Sequence, residues 1–258
     1  MKIKADLHNH LSTFSSIPKE FNKVLDIAKK RLGKNGIVGI INGGDDNRYE
    51  DFINLRGYER QNLGNAIYVP EKEILVLRGQ ELFPKQGHIL ILGLKNNIRT
   101  KNKNLEYFLK SAKNNHGIII AAHLFFFCGT GPYLEKNREL LKYFDGIEIH
   151  NGEAFYGNKK AKKFYNKIKN DYDIGACSFQ DGHSLYEIGL SYTWLEQPFF
   201  ENSDKLNSDK LNSSLRESIR KHKDFSQDNQ HFSLLGFLDH SLKYSPKAAL
   251  LKFGLVKD

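Results

Sequence analysis

The chain has 258 residues, 40% hydrophobic and 27% charged, which is the balance of a folded globular protein able to bury a full core and not that of a disordered chain. No run of about 18 apolar residues is present, so no membrane-spanning helix is expected, and the two cysteines, Cys128 and Cys177, are too few for a disulfide framework or a cysteine-built zinc site. The net charge of +9 points to anionic partners, because a basic surface concentrates phosphates.

From the first residues onward, short apolar runs alternate with longer segments of helical spacing. The strand candidates are "KIKADL", "GIVGIIN", "EILVLRGQEL", "HILILGL", "GIIIAAH", "GIEIH" and "IGACSF". The opening "MKIK" runs straight into the first of them, which leaves no room for a signal peptide, and a reducing, cytoplasmic location is expected. A first helix is predicted from Pro18 to Leu32, with Ser15 or Ser16 as its cap and proline in its first turn. Further helices are predicted over Asn104 to Asn115, Leu134 to Tyr143 and Asn158 to Asn170. The last of these lies in "NKKAKKFYNKIK", whose lysines read as a solvated outer face, with a share in nucleic-acid binding as the alternative. This rhythm predicts an α/β protein with a mostly parallel sheet, open or closed into a barrel. After about Glu196 the five-residue unit NSDKL occurs twice in tandem, which reads as a loop insertion. A helix from about Leu211 to His222 and one or two further helices between Phe232 and Val256 complete the chain. Residues 1–198 therefore form the predicted barrel, and residues 199–258 an extension packed on it.

Nearly every strand candidate carries a residue able to bind metal at or just beyond one end. The first gives Asp6, His8 and His10; the second leads to Asp45 and Asp46; the third ends in Glu81. His88 opens the fourth, His123 closes the fifth, the sixth carries Glu148 and His150 followed by Asn151, and Asp181 and His183 follow the seventh. The carboxyl ends of strands converge on one face of a barrel or open α/β sheet, so such residues meet in space. His88 starts its strand, and a hairpin-like connection through "LFPKQG" would fold it back beside Glu81. Histidines and carboxylates without thiolates suit zinc, manganese or iron, and the candidates outnumber the ligands of one tetrahedral ion. Two or three divalent ions are implied. Alternation in "DLHNH" places His8 and His10 on one side of the extended chain, with Asp6 there to orient them through their second ring nitrogens.

In their order and spacing, "DLHNH", "GQELF" with "GHILILG", "AAH", "GIEIHNG" and "QDGH" resemble the PHP (polymerase and histidinol phosphatase) family over about residues 3 to 195. The resemblance implies a distorted (β/α)7 barrel with up to three metals and phosphoester hydrolysis. Family members include histidinol phosphatase, nucleotide and oligonucleotide phosphoesterases and modules of bacterial DNA polymerases. It assigns His8, His10, Glu81 and Asp181 to one ion, His88 and His123 to a second bridged by Glu81, and His183 to a third. Two ligands usual for the third ion are missing here, where the chain reads "STFSS" and "INGGDDN". Asp46 or Asp45 is the candidate replacement, and the alternative is a turn with solvated acids. Arg48 is a candidate phosphate clamp, by its planar fork of donors.

Two ions about 4 Å apart suit in-line attack on phosphorus without a nucleophilic side chain. Neither "CSFQ" nor "FFCGT" resembles a nucleophile elbow, and Cys177 reads as a small buried hydrophobe. "LFFFCGTGPY" reads as an apolar loop on the barrel rim, with base stacking as the alternative. The expected function is hydrolysis of a phosphorylated metabolite, nucleotide or short oligonucleotide, with Asp181, Glu81 and Arg48 in the catalytic machinery. The alternative is a non-hydrolytic module that binds phosphorylated ligands or nucleic acid. Mono- and diester cleavage, the metal and the oligomeric state are open at this stage.

Overall fold

The computed structural model describes residues 1–10, 17–53, 59–154, 156–196 and 207–233. Six strands carry the barrel's parallel pairings: β1 (Lys2–Asp6), β2 (Gly36–Gly43) and β5 (Ile74–Leu82) on one side, and β7 (Ile118–Ala121), β8 (Gly146–Asn151) and β9 (Gly175–Phe179) on the other. Between β5 and β7 lies β6 (Ile89–Leu92), antiparallel to both, and β10 (Thr193–Glu196) pairs antiparallel with β1. The short hairpin β3 (Gln61–Asn62) and β4 (Ala66–Val69) hangs on β5 off the main path.

The resulting order, β10-β1-β2-β5-β6-β7-β8-β9, is a nearly closed barrel of eight strands with helices around it. Closure comes from the chain beyond β9. Asn9 bridges Gly182 in parallel, with His10 N–H donating to the Gly182 carbonyl at 2.7 Å, and the Ser178 N–H donates to Thr193 Oγ1 at 2.7 Å. All seven expected strands are present; the reversed β6 is the distortion, imposed by the short turn between Leu82 and Ile89.

Alternation sorts the core. Ile37 and Ile41 of β2, Leu75 and Leu77 of β5, Leu90 and Leu92 of β6, Ile118 and Ile120 of β7 and Cys177 and Phe179 of β9 form one buried cluster inside the barrel. Cys177 is the buried hydrophobe expected. Their neighbours Val38, Ile40, Ile74 and Val76 face outward, where α1 (Ile17–Leu32) covers them with Phe21, Val24, Leu25, Ala28 and Leu32 in a helical stripe. On the other flank α3 (Leu105–Asn114), capped by the Asn104 side chain, and α5 (Asn158–Ile168) bury Phe108, Leu109, Phe164 and Ile168 against β6, β7 and β8. Lys160, Lys163 and Lys167 of α5 are exposed, as a solvated face requires.

Three expectations shift. The segment predicted as one helix over Leu134 to Tyr143 is α4 (Gly131–Lys136), with Pro132 in its first turn, then a 3-10 helix over Arg138–Tyr143; the chain breaks at Asn137, whose φ of −127° and ψ of 61° are not helical. The second NSDKL copy is not loop. Asn207 caps α6 (Ser208–Lys221) by accepting from the Lys210 N–H at 3.0 Å, so the helix begins before Leu211. Ser15, Ser16, the first NSDKL copy and most of the expected helices from Phe232 onward lie outside the described residues.

Helix α6 plugs one mouth of the barrel, adding Leu211, Leu215 and Ile219 to the interior cluster. Its approach depends on Gly175, where an added Cβ would lie 1.7 Å from the Ile219 carbonyl oxygen. Gly175→Ala is therefore expected to destabilise the chain by about 1–3 kcal/mol through overpacking, read as a lowered urea midpoint. An unchanged midpoint would refute this packing of α6 on β9.

Candidate metal centre

At the mouth opposite α6 the inward-facing positions change from apolar to carboxylate. Along β5 the inward set Leu75, Leu77 and Gly79 continues to Glu81; along β9, Cys177 and Phe179 lead to Asp181; along β8, Gly146 leads to Glu148. Glu81 is set by its neighbours. Gly79 leaves room for Ile41, whose Cδ1 would lie 2.3 Å from an added Cβ. Gln80 points the other way, donating to the Gly44 and Ile98 carbonyls at 2.6 and 2.9 Å.

The Glu81 carboxylate divides the centre in two. Its Oε2 lies 3.1 Å from His10 Nε2 and 3.8 Å from His8 Nε2; its Oε1 lies 3.0 Å from His88 Nδ1 and 2.9 Å from His123 Nε2. On the Oε2 side, Asp181 Oδ1 is 3.3 Å from His8 Nε2 and 3.6 Å from His10 Nε2. His8, His10 and Asp181 each bring a ligand atom to within 4.8 Å of the others, and so do His88, His123 and Cys128 on the Oε1 side. The reversed β6 returns His88 beside Glu81 as the hairpin expectation required. Two of these residues hold left-handed backbones, Asp181 at φ 58° and His123 at φ 27°, the kind of strain that concentrates at functional sites.

Beneath the histidines lies Glu148. Its Oε1 meets His8 Nδ1 at 2.7 Å, while its Oε2 accepts from the His123 N–H at 2.5 Å and from Asn151 Nδ2 at 3.0 Å. Asn151 Nδ2 also donates to Asp181 Oδ2 at 3.0 Å, so one amide fixes two carboxylates. Asp6 does not orient the histidines. Regular β1 ends at Asp6, alternation is not carried through to His8, and the Asp6 carboxylate accepts instead from the Gln180 and Gly189 N–H groups. His150 also leaves the centre. A bulge in β8 between Glu148 and His150 breaks the alternation, and its Nε2 meets the His231 carbonyl at 3.1 Å.

His183 stacks on His10 at 4.8 Å between centroids, with Nδ1 3.0 Å from Glu153 Oε1 and 2.9 Å from the Asp181 carbonyl. Glu153 and Cys128 were not legible as site residues; neither follows a strand with a recognisable spacing. Asp46 sits in the turn after β2 and Arg48 opens the short helix α2 (Arg48–Ile53), with Asp46 Oδ1 accepting from the Gly43 N–H at 2.8 Å and Arg48 Nε 3.7 Å from Asp46 Oδ2. Asp45 turns outward to accept from Thr100 Oγ1 at 2.5 Å, which leaves Asp46 as the carboxylate of the pair that feels His10. Neither Asp46 nor His183 joins the two ligand clusters among the described residues. The loop is anchored by Arg78, which donates to Glu50 Oε1 and Asn97 Oδ1, each at 2.6 Å, while Asn97 Nδ2 donates to the Asp46 carbonyl at 2.7 Å.

So many buried charges shape one another's proton affinity. Burial opposes the charge on Glu81, yet His88 and hydrogen bonds from His10 and His123 hold its carboxyl well below the usual range. Asp181 is likewise lowered, burial being outweighed by His8 and His183. Burial also works against the charge on His8, which Asp181 and Glu148 nonetheless raise well above the ordinary imidazole value. His88 reaches about 9 because Glu81 overcomes its burial, and His183 reaches about 9 because Glu153 does the same. Glu153 itself is pushed up to about 7 by burial. Burial lowers His10, but the carboxylates and their neighbours draw positive charge onto His8, His88, His123 and His183, and such a centre is suited to cations. The donors, imidazole nitrogens and carboxylate oxygens in two groups around one shared carboxylate, fit divalent metal ions.

No family model matches the sequence, and no curated protein does. Solved structures do match. PsfC from Pseudomonas syringae PB-5123 superimposes with a TM-score of 0.60 at 14% identity, over 99% of this chain and 99% of that one. A two-domain protein from Bacteroides vulgatus ATCC 8482 containing a predicted PHP-like metal-dependent phosphoesterase gives 0.53 at 13% identity, over 85% of this chain and 64% of that one. Endonuclease Q, in complex with a duplex substrate carrying an abasic lesion, gives 0.53 at 18% identity, over 80% and 56%. The chain has the PHP-type barrel fold. Among the described residues no helix is long and apolar enough to cross a membrane.

Two outcomes follow from the geometry. Glu148→Gln should weaken divalent-metal affinity about 10–100-fold, as loss of an orienting carboxylate does, measured by chelator competition; unchanged affinity would remove Glu148 from the centre. His88, with His8 and His123, must shed protons to accept a cation, so apparent affinity should rise with pH from about 6.5 to about 9. Calorimetric titrations across that window should show net proton release, and a flat profile would contradict the charge arrangement.

Proposed function

We propose that the chain is a divalent-metal-dependent phosphoesterase acting on a phosphorylated metabolite, a nucleotide or a short oligonucleotide. The observation that carries this reading is Glu81, one carboxylate placed to bridge two histidine clusters. In this reading His8, His10 and Asp181 hold one ion with Glu81 Oε2, and His88 and His123 hold a second with Glu81 Oε1. Bound divalent ions, whether manganese, zinc or iron, supply Lewis acidity toward phosphoryl oxygens and bring the deprotonation of water down to about neutral pH.

The remaining work falls to the chain. Glu148 fixes the tautomer and tilt of His8, and Asn151 holds Asp181 in its rotamer. Arg48 offers a planar set of donors to a phosphoryl group above the first cluster. His183 and Asp46 are the residues for a third ion, with Glu153 orienting His183. A cavity of about 590 Å3 opens beside His88 and Cys128, with Lys85, Lys136, Phe127 and Tyr133 on its walls. It has room for the organic part of a substrate, with cations for further negative charge. The free thiols Cys128 and Cys177 suit a reducing cytoplasm.

The deciding experiment measures phosphate or nucleotide release by the manganese-supplied protein over sugar phosphates, histidinol phosphate, nucleotides and short RNA and DNA. Asp181→Ala should lower any turnover found by at least about 10²-fold, the scale of losing one charge-stabilising group. Undiminished release by that variant would sink the proposal. Silence over the whole panel, with metals tightly held, would favour the binding module.

A further inference from the structure

The cavity of about 590 Å3 beside the second cluster lies between two backbone segments that the fold locks together. One wall is the reversal ahead of β6, with Lys85 and His88; the other runs from Phe127 through α4 to Lys136. The His88 N–H donates to the Cys128 carbonyl at 2.8 Å, and His88 bridges Gly129 as a parallel strand would. Gly87, at φ 117°, packs so closely that an added Cβ would lie 2.5 Å from the Gly129 carbonyl carbon. The Gly131 N–H donates to the Leu124 carbonyl at 2.7 Å and Leu134 is buried, which fixes α4 to the same loop. The cavity is therefore preformed, and His88 belongs both to its wall and to the second cluster.

Its lining has one sign of charge. Lys85 and Lys136 stand on opposite walls, both exposed, and the lining includes no carboxylate. Glu135, next to Lys136 in the chain, pairs instead with Lys160 at 3.0 Å. The lining is also aromatic. Phe127 is 64% exposed although its ring packs on Phe126 with centroids 4.5 Å apart, and Tyr133 stands three residues from Lys136, on the same face of α4. Such rings are surfaces on which a planar group stacks. A phosphoryl group held at the metal centre uses none of these four side chains.

We propose, on the reading of the mouth as a phosphoesterase centre, that this cavity selects substrates carrying a planar ring and a second anionic group beyond the scissile phosphoryl, with Lys85 and Lys136 receiving the anion and Phe127 and Tyr133 the ring. A nucleotide bearing a further phosphate, or one step of an oligonucleotide chain, meets both demands. A plain sugar monophosphate meets neither, and histidinol phosphate replaces the second anion with an ammonium that the lysines repel.

Phosphonates test this without turnover, because their carbon–phosphorus bond is not an ester. Calorimetric titration of the manganese-loaded full chain at low salt compares ethylphosphonate with phosphonopropionate, which adds an anion, phenylphosphonate, which adds a ring, and phosphonobenzoate, which adds both. The anion should tighten binding about 2–5-fold, the scale of exposed charge pairs, and the ring about 5-fold or more. The double variant Lys85→Ala, Lys136→Ala should abolish the gain from the anion, and Phe127→Ala with Tyr133→Ala the gain from the ring. Lys163→Ala, on the outer face of α5, should keep both gains. Equal affinity for all four ligands would overturn the proposal. So would an anion gain that survives loss of both lysines, since the carboxylate would then be touching the metals. Absence of binding by every phosphonate, with the metals held, would remove phosphoryl recognition and this subsite together. The expected order of affinities without hydrolysis of the matching phosphate esters would leave the cavity as a ligand site and sink the phosphoesterase reading alone.

Discussion

Everything at the open mouth of the barrel depends on a carboxylate that cannot be left alone. Glu81 is buried at the end of a nine-residue strand with no exposed position. An unpaired buried carboxylate would cost several kcal/mol or give up its charge. Here four imidazoles surround it, two on each oxygen. The cost of burial is offset by partners that are themselves held in place by a further carboxylate, Glu148, at the floor. Removing any one member therefore leaves another charged group without compensation, which ties the site's geometry to the stability of the fold around it.

The barrel supplies the rigidity that such a cluster needs. Strand β5 pairs with β2 along eight consecutive residues, ending with Gly43 opposite Glu81. The antiparallel excursion of β6 brings His88 to Glu81 from a strand that would otherwise present its far end. In a regular parallel barrel a residue at the start of a strand lies at the wrong mouth. The distortion of the fold and the make-up of its centre thus have one cause, a short reversal between Leu82 and Ile89.

Charge runs through the same design. Glu81 and Asp181 held below the usual carboxylate range, with His8 and His88 held above the usual imidazole value, make a site that is near electrical balance only while protons or metal ions occupy it. Its surroundings differ on the two sides. Around the first cluster lie Asn151, Glu153 and His183, a polar shell; beside the second lies a cavity with lysines and aromatic rings on its walls. That asymmetry distinguishes where ligands are fixed from where a substrate has room.

The sequence by itself determined the strands, because period-two alternation and short apolar runs are local, and it determined His8, His10, Glu81, His88, His123 and Asp181 as residues that the fold brings together, because each sits at a strand end. It also placed Glu148 and Asn151 at the centre without assigning their partners. What only the tertiary structure decided were the contacts made across the barrel. Alternation predicted Asp6 beneath the histidines, but β1 stops at Asp6 and its carboxylate closes onto Gln180 and Gly189 instead. A one-residue bulge removed His150, an event that leaves no mark in a pattern of period two. Cys128 and Glu153 arrive from loops, where position follows from backbone hydrogen bonds and the close approach of glycines, not from any repeat in the chain.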